Sequence, residues 1–445
     1  MRTPRGRARS AVTLSAVAGL AATTLTGCGS SDSAAESNAP LNVWVRGAGD
    51  SEKAYQAVFD AYTKKTGVKV KLFMTLTDFE TKLNAAAAAH QLPDVVVNDA
   101  AQLGAFRSQG IIREVDRKSV AGQDQVTDLA WKSTRGGDGK YYAVPFSAQA
   151  NVLFERSDWA KKLKLKTPTT WDELAATAKA FTAQDPDGNG KADTYGLAVP
   201  GTTTRGYISW YWSTFLWQAG GDYVKDAGNG KYTPTVNSPQ ALRAATWFED
   251  LFCKDKSVQP GSLNNDTADT NKVFQTGVAG LYLTGPYAFA TMDGSDVKGK
   301  YEVVAPPSGP QGSDVLAEGT SVYLMAGSKE PEHSQQLADF MITPEAQKIG
   351  MTAVPTASIV RLSVNKNVDT AAVRDNDPRW ALTQKLYQEN GHYEPVYLPN
   401  WGELRQATSE ALNKMVAGCS SPKATLDQLN DTFRTLLEQQ GVAAD

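Results

Sequence analysis

Short apolar runs alternate along the chain with longer segments in which apolar residues recur every three or four positions. The run LNVWVRG is typical of a buried strand, and the next segment, SEKAYQAVFDAYTKKTG, is typical of an amphipathic helix that ends at Gly67. The alternation continues through the strand VKVKLFM, the helix DFETKLNAAAAAHQL and the strand PDVVVND. This order predicts an α/β fold with a mostly parallel sheet covered by helices on both faces.

The second half of the chain repeats the same kinds of signal. The segment YYAVPFSAQANVLFE predicts two extended pieces that cross between two parts of the fold. A helix over TPTTWDELAATAKAFT is predicted to begin at Thr170, with Glu173 completing a capping box. The remaining predicted elements are the helix VNSPQALRAATWFEDLF, the strand and turn GVAGLYLTGPYAFA, the strand TSVYLMAG, one helix over PEHSQQLADFMITPEAQKIGM, and the C-terminal helices LRQATSEALNKMVAG and SPKATLDQLNDTFRTLLEQQG.

The first forty residues have the pattern of an export signal. MRTPRGRARS carries four arginines and no acid, and the uncharged run AVTLSAVAGLAATTL is too short for a membrane span. Because LTGC ends this run, residues 1–27 resemble a bacterial lipoprotein signal in which Cys28 becomes the first mature residue and is lipidated. An ordinary secretory signal that contains a cysteine is the alternative. The small and polar residues that follow predict a disordered tether over 28–40.

Composition narrows the class of protein. The 445-residue chain has a formal charge of −3, and loss of the signal arginines lowers it to about −7. It has no basic stripe, which argues against a nucleic-acid partner. About 400 folded residues predict two domains. Beyond Cys28 only Cys253 and Cys419 remain, and the sequence leaves open whether they form a disulfide or stay separate buried thiols.

Seven segments, in order, resemble the maltose-type extracellular solute-binding proteins of ABC importers. They cover nearly all of residues 41–420, and no single one of them is diagnostic. They are LPDVVVNDAAQLGAFRSQGII, YYAVPFSAQANVLFERSDWAKKL, KTPTTWDELAATAKAFT, FLWQAGGDYV, VNSPQALRAATWFEDLF, GVAGLYLTGPYAF and AGSKEPEHSQQLADFMITPEAQ.

The resemblance implies a periplasmic-binding-protein-like fold of two lobes, with hinge segments between them and a ligand cleft where they meet. Lobe 1 is predicted over 41–147 plus 303–350, and lobe 2 over 151–302 plus 351–435. The implied function is the capture of a sugar or oligosaccharide by a lipid-anchored component of an ABC transporter, on the extracellular face of the cell membrane. Its partners would be the permease subunits, with the membrane reached through the anchor only, and the protein is expected to be a monomer.

Aromatic side chains are candidates for stacking on a sugar ring. The family places a sugar-facing aromatic ten residues before the Gly-Gly pair, which is Trp210 here, and another after Gly-Pro, which is Tyr287. Trp401 lies near a third such position in a looser alignment. The alternative for each ring is a place in the hydrophobic core, and this alternative is preferred for Trp217 and Trp44.

Polar candidates follow the strands, because open α/β sheets bind ligands at the carboxyl ends of their strands. These residues would satisfy sugar hydroxyls, and the alternative for each is a hydrogen bond within a turn or hinge. They are Asn98, Asp99, Ser147, Gln149 and Glu318, with Arg46 in the loop after the first strand and with Asn151 and Thr320 as further neighbours.

The stretch DPDGNGKADTYG has the first half of a calcium loop. Its oxygen donors would be the side chains of Asp185, Asp187, Asn189 and Asp193 with the carbonyl of Lys191. The twelfth position is Gly196 instead of the usual glutamate, and a strand, YGLAVPG, follows instead of a helix. These features argue against a calcium sensor and leave two alternatives, a structural Ca²⁺ and a metal-free turn.

An enzyme is the rival class. The chain has three histidines, none in a ligand-spaced cluster, and it lacks nucleophile-elbow, zinc and phosphate-loop motifs. A glycosidase-like carboxylate pair forms only in space, so the sequence leaves a secreted carbohydrate-active enzyme open. Within the binder class, a non-sugar polyol or a sugar phosphate is the alternative ligand. We predict a binding protein and not an enzyme.

Overall fold

The computed structural model describes residues 39–444. The predicted signal over 1–27, the lipidation site Cys28 and nearly all of the tether over 28–40 lie outside the described residues. Within 39–444 no helix is both long and apolar enough to cross a membrane.

Strands and helices alternate through this range as the hydrophobic pattern predicts. The strands are β1 Leu41–Arg46, β2 Val70–Thr75, β3 Val95–Asp99, β4 Val144–Ala150, β5 Val152–Glu155, β6 Tyr195–Ala198, β7 Val224–Gly228, β8 Lys231–Pro234, β9 Ala279–Thr284, β10 Glu302–Val304, β11 Val315–Leu324, β12 Leu362–Ser363 and β13 Gly391–His392. The helices are α1 Ser51–Thr66, α2 Phe79–Ala88, α3 Leu103–Ser108, α4 Asp128–Lys132, α5 Ser157–Leu163, α6 Trp171–Ala183, α7 Tyr207–Gln218, α8 Pro239–Cys253, α9 Thr267–Gln275, α10 Phe289–Asp293, α11 Pro331–Met341, α12 Pro344–Thr352, α13 Pro378–Asn390, α14 Trp401–Gly418 and α15 Pro422–Gln439.

Two mixed sheets organise the fold. The first has the order β12-β4-β11-β3-β1-β2 with β13 beside β11, and the second has the order β10-β5-β9-β6. Strand β1 is parallel to β2 and β3, whereas β11 is antiparallel to β3 and β4. The prediction of a mostly parallel sheet is therefore wrong. Only β1 to β3 come from consecutive strand-helix units, whereas β11, which follows β10 of the second sheet, runs antiparallel to β3 and β4.

The chain crosses between the sheets where the sequence predicts two extended pieces. Strand β4 lies in the first sheet, and after Asn151 the chain continues as β5 in the second. The chain returns from β10 to β11. Three strand placements differ from the predicted lobe boundaries: β12 pairs with β4 and β13 pairs with β11 in the first sheet, and β10 pairs with β5 in the second. Short strands next to a hinge join whichever sheet edge is free, which no local signal reveals.

Local signals place most helix ends correctly. Helix α1 ends at Gly67, which adopts the left-handed conformation, and α6 begins with the predicted capping box of Thr170 and Glu173. The single helix predicted over 331–351 is instead two, α11 and α12. Pro344 starts the second helix, and the Thr343 hydroxyl accepts a hydrogen bond from the Ala346 amide as its cap.

Cys253 and Cys419 form a disulfide, with 5.7 Å between their Cα atoms. The bond ties the end of α8 to the end of α14, so the paired alternative is confirmed and the two-thiol alternative is wrong.

The disulfide is expected to contribute strongly to stability. The double substitution Cys253→Ala with Cys419→Ala should lower the free energy of unfolding by about 2–4 kcal/mol, because the bond restricts a long loop of the unfolded chain. Urea unfolding followed by tryptophan fluorescence measures this. A reductant should destabilise the unsubstituted protein by a similar amount and leave the double variant unchanged. Equal urea midpoints for the two proteins would contradict the expectation.

Candidate functional site

A cleft lies beside β3, β4 and β11, and Tyr287 from the turn after β9 of the second sheet also lines it. Both sheets contribute to its walls, as expected of a ligand cleft between two lobes.

The strand register brings a row of polar side chains to one wall. Thr320 on β11 lies opposite Asp99 on β3 and opposite Ser147 on β4, and Glu318 lies opposite Gln149. Residues two apart on a strand share a face, so these side chains point the same way and line the cleft together. The row offers hydroxyl, amide and carboxylate groups, which suits a ligand rich in hydroxyls.

Asp99 belongs to an ion-pair network at the rim. Its Oδ2 lies 3.1 Å from Arg46 Nη1 and 3.3 Å from Arg205 Nη2. Glu80 faces the same two arginines, at 3.7 Å from Arg46 Nε and 3.8 Å from Arg205 Nη1. Arg205 has a φ of 55° and immediately precedes α7, whereas the other three residues belong to the first sheet and its helix α2. The network therefore joins elements of both lobes.

A second network of charged and polar side chains lies at the end of the row formed by Gln149 and Glu318. Gln149 Nε2 donates to Glu318 Oε2 at 2.8 Å, and Arg405 Nη2 lies 3.8 Å from Glu318 Oε1. The same Nη2 lies 3.1 Å from Glu394 Oε2. Trp401 Nε1 also donates to Glu394 Oε2, at 3.1 Å. One guanidinium thus compensates two carboxylates.

Glu318 titrates near neutrality. Burial, assisted by the charges of Asp99 and Glu394 and opposed by the charge of Arg405, raises its pKa to about 7. Near pH 7 the side chain is therefore a mixture of carboxylic acid and carboxylate, and it can donate or accept a hydrogen bond at the cleft wall.

This raised pKa predicts how stability depends on pH. The unfolded carboxyl ionises near its ordinary value of 4.5, whereas the folded one holds its proton to about 7. Between these values the unfolded state binds fewer protons, so stability falls as pH rises and the loss is complete above about pH 7. Thermal unfolding across pH 5–8 measures this. Glu318→Gln should fall less in melting temperature over that range, and an identical pH profile for the two proteins would contradict the assignment.

Two tyrosine rings face the row. The Tyr287 hydroxyl lies 2.6 Å from Thr284 Oγ1, and the Tyr393 hydroxyl lies 3.0 Å from that of Tyr387. Burial raises the pKa of Tyr393 to about 12, so the phenol stays neutral at ordinary pH. Each ring is half-buried and held by its hydroxyl, so each presents a fixed aromatic surface to the cleft.

The structure brings together five of the nine residues predicted to touch a ligand. They are Asp99, Ser147, Gln149, Tyr287 and Glu318. Two others support them from outside the cleft lining: Arg46 pairs with Asp99, and Asn98 is buried with its Oδ1 accepting from the Asp99 amide. Ligand contact by the five stays a prediction.

Trp210 and Trp401 were predicted to stack on sugar, and the structure places both in the core. Trp210 lies on α7, where residues 208–218 are all buried, and Trp401 is buried against the Tyr223 ring. A helix that is apolar on every face is buried on every face, so α7 offers no stacking surface at Trp210. Trp217 on the same helix is core, as predicted.

Sequence reasoning missed the charged residues that surround the row. They are Glu80, Arg205, Arg361, Glu394 and Arg405. Arg361 had a signal, because it is a lone cation between the apolar residues of SIVRLSV. The others lie in ordinary polar segments, and only their pairing distinguishes them.

The predicted calcium loop lies between α6 and β6. The Asp185 carboxylate accepts hydrogen bonds from the amides of Gly188, Asn189 and Gly190. Asn189 Nδ2 lies 2.7 Å from Asp187 Oδ2 and 3.1 Å from Asp193 Oδ1. The Asp187 and Asp193 carboxylates thus both accept hydrogen bonds from the Asn189 side-chain amide. Among residues 39–444, the oxygens of all three aspartates do not come within 4.8 Å of one another.

Comparison with known proteins places the chain among binding proteins. A family model described as bacterial extracellular solute-binding protein matches residues 48–348. The polygalacturonan/rhamnogalacturonan-binding protein YtcQ of Bacillus subtilis is 32% identical over 362 residues, which are 74% of this chain and 68% of YtcQ. A protein of Brucella abortus named as a binding protein is 27% identical over 295 residues, 65% of this chain and 66% of that relative. The chain thus spans just under two thirds of the Brucella abortus relative.

Solved structures share the architecture. Maltose-bound MalE3 of T. maritima has a TM-score of 0.76 and 20% identity, over 89% of this chain and 100% of that one. The GacH receptor of Streptomyces glaucescens, solved unliganded and with acarbose, has a TM-score of 0.76 and 20% identity, over 90% and 98%. These likenesses confirm the predicted α/β fold of two lobes.

Proposed function

The chain belongs to the bacterial extracellular solute-binding protein family, and we propose that it captures a sugar or oligosaccharide outside the cell for an ABC importer. The family resemblance predicted from the seven segments is confirmed. The family and its structural neighbours are binding proteins and not enzymes, so the enzyme alternative is set aside.

One observation carries the proposal of a sugar ligand. A single cleft holds a row of hydrogen-bonding groups on one wall and the Tyr287 ring from the other lobe. A sugar has a rim of hydroxyls for the row and an apolar ring face for the tyrosine. A relative named for polygalacturonan and rhamnogalacturonan supports a saccharide ligand. A non-sugar polyol has hydroxyls without a ring face and would leave the tyrosine unused.

Screening the purified protein against a saccharide panel by thermal shift, followed by calorimetry, tests the function. A binding saccharide should raise the melting temperature by mass action and be recovered unchanged after incubation. Hydrolysis would contradict a pure binder, and the absence of a shift with every saccharide would contradict the sugar proposal.

Tyr287→Ala should weaken saccharide binding by roughly tenfold to thirtyfold, because the ring removes apolar sugar surface from water. Tyr287→Phe is the matched control, since it keeps the ring and loses only the hydroxyl bond to Thr284. Calorimetric Kd values for both variants make the comparison. Equal losses in the two variants would mean that the hydroxyl, and not ring stacking, is important.

We propose further that the mature protein is anchored through lipidated Cys28 and docks as a monomer onto the permease subunits. Two or more acyl chains hold a protein on a membrane, whereas one chain binds only marginally. A Bacillus subtilis relative named lipoprotein LipO, 28% identical over 271 residues, supports the anchor. Mass spectrometry of the mature amino terminus tests it, and an unmodified Cys28 would refute it. A stable dimer by light scattering would count against the monomer.

A structural Ca²⁺ in the loop at 185–193 also remains a proposal. Its ligands would be the side chains of Asp185, Asp187, Asn189 and Asp193 with the Lys191 carbonyl, once the Asn189 amide is turned to present its oxygen and Asp185 is released from the loop amides. Calcium would supply a positive charge between carboxylates that lie close together. Calorimetry with CaCl₂ tests this, and no heat together with no shift in melting temperature would refute it.

A further inference from the structure

Arg361 lies beside the row of polar side chains on the cleft wall. It immediately precedes β12, whose Leu362 and Ser363 pair with Ala148 and Ser147 of β4. The Arg361 amide donates to Ser147 Oγ at 3.1 Å, and its side chain lines the cleft. The backbone of this cation is therefore fixed to the strand that carries Ser147 and Gln149.

Arg361 differs from the other arginines at the cleft. Arg46, Arg205 and Arg405 each lie within 4.0 Å of a carboxylate. Within residues 39–444 the Arg361 side chain has no such carboxylate and makes no hydrogen bond, although the residue is half-buried; its Nε, like those of Arg46 and Arg405, is buried without a hydrogen-bond partner. A half-buried cation that lines a binding cleft and has no protein counter-charge is placed to pair with a negative charge of the ligand.

A second positive charge, that of Arg374, lies close to Arg361 and adds to the positive charge beside the cleft. Arg374 donates to Ser358 Oγ and to the Val360 carbonyl, and its guanidinium lies 3.7 Å from the centre of the Trp380 ring. Burial, followed by the charge of Arg361, lowers the pKa of Arg374 to about 10. Asp377 is the acid in electrostatic range, and its carboxylate is bound to Arg379. Two cations thus lie side by side next to the cleft.

A ligand group that pairs with the single positive charge of Arg361 needs one negative charge, which a carboxylate supplies. A guanidinium binds a carboxylate through two parallel hydrogen bonds. The cleft already contains Asp99, Glu318 and Glu394, so a phosphate with nearly two negative charges would be repelled more strongly than a carboxylate with one. The row of hydroxyl and amide groups beside Arg361 remains available for neutral hydroxyls.

We propose that the ligand is an acidic saccharide, and that Arg361 binds the carboxylate of a uronic acid unit while the Ser147–Gln149 wall binds its hydroxyls. This rests on the proposed function in sugar capture and names the class of sugar.

The experiment compares matched acidic and neutral saccharides by calorimetry. Digalacturonate and diglucuronate are titrated beside the neutral disaccharides with the same linkages, and beside galactose and glucose phosphates. The acidic disaccharide of at least one pair should bind about tenfold to a hundredfold more tightly than its neutral partner, as expected for a hydrogen bond to a charged group. Arg361→Gln should remove this preference, because it should lower the affinity for the acidic disaccharide much more than the affinity for the neutral one.

Two further variants complete the design. Arg361→Lys keeps the charge without the planar fork and should keep only part of the preference. Arg243→Gln removes an exposed arginine of α8 and should bind like the unsubstituted protein. Without ligand, Arg361→Gln should melt at the same temperature as the unsubstituted protein or higher, because it removes an unpaired charge.

The outcomes separate this proposal from the function on which it rests. Binding of neutral saccharides without any preference for acidic ones would overturn the carboxylate and leave sugar capture intact. An equal loss for acidic and neutral ligands in Arg361→Gln, a lower melting temperature of that variant, or tighter Arg361-dependent binding of a sugar phosphate would each overturn it too. Failure of every saccharide to bind would overturn the function itself.

Discussion

We expect Arg405→Met to lower the free energy of unfolding by about 3–5 kcal/mol, the usual cost of removing one partner from a buried ion pair. Arg405 lies between Glu394 and Glu318, and only 3% of the Glu394 side chain is exposed. Gly206 adopts a positive φ directly against the Arg405 side chain, and a Cβ there would lie 2.7 Å from Arg405 Cγ. Little space therefore remains for water to solvate the Glu394 carboxylate once the guanidinium is gone, whereas the Glu318 side chain is 31% exposed at the cleft.

The same substitution should change the titration of Glu318. The charge of Arg405 opposes the rise in the Glu318 pKa, so its loss should raise that pKa further. The fall of stability with pH should then continue above pH 7, because the folded carboxyl keeps its proton to a higher pH. Thermal unfolding over pH 5–9 measures both effects. Adding Glu394→Gln to Arg405→Met should recover part of the stability, and an unchanged melting temperature in the single variant would show that solvent compensates the carboxylates.

Trp217→Ala should also cost about 3–5 kcal/mol, the range measured for truncating large buried side chains. The Trp217 side chain is 3% exposed, its ring stacks on His392 at 4.2 Å, and its Nε1 donates to Asp222 Oδ1 at 3.2 Å. Truncation would leave a cavity under the turn after α7 and remove a donor from the half-buried Asp222 carboxylate.

Trp217→Phe separates these two contributions. It keeps an aromatic ring against His392 and loses the hydrogen bond, so it should cost less than half as much as Trp217→Ala. Urea unfolding provides the free energies, and calorimetry with a bound saccharide checks the cleft. Trp217→Ala is expected to keep its saccharide affinity under folding conditions. A large loss of affinity without a loss of stability would move Trp217 from the core to the binding surface.

The sequence by itself determined most elements of the fold, because the signals that specify them are local. Apolar residues with a period near 3.6 define α1 and α8, and the Thr170–Glu173 capping box fixes the start of α6 within four residues. Seven segments in order were sufficient to indicate the family, strand ends indicated four residues of the cleft, and the resemblance indicated Tyr287. Pro344 was also a readable signal, although the prediction ran one helix through it.

Which rings and charges line the cleft followed only from the tertiary structure. Trp210 and Tyr287 have similar apolar neighbours in sequence, yet packing of α7 on every side buries the first, and the turn after β9 turns the second into the cleft. The network of Arg46, Glu80, Asp99 and Arg205 joins residues up to 159 positions apart. Electrostatic pairing and desolvation depend on distance in space, which long-range strand pairing and lobe docking set. For this reason the sequence does not show that Arg361 lacks a carboxylate partner. Within residues 39–444 the side-chain distances of the folded protein show it, because Arg46, Arg205 and Arg405 each lie near a carboxylate and Arg361 does not.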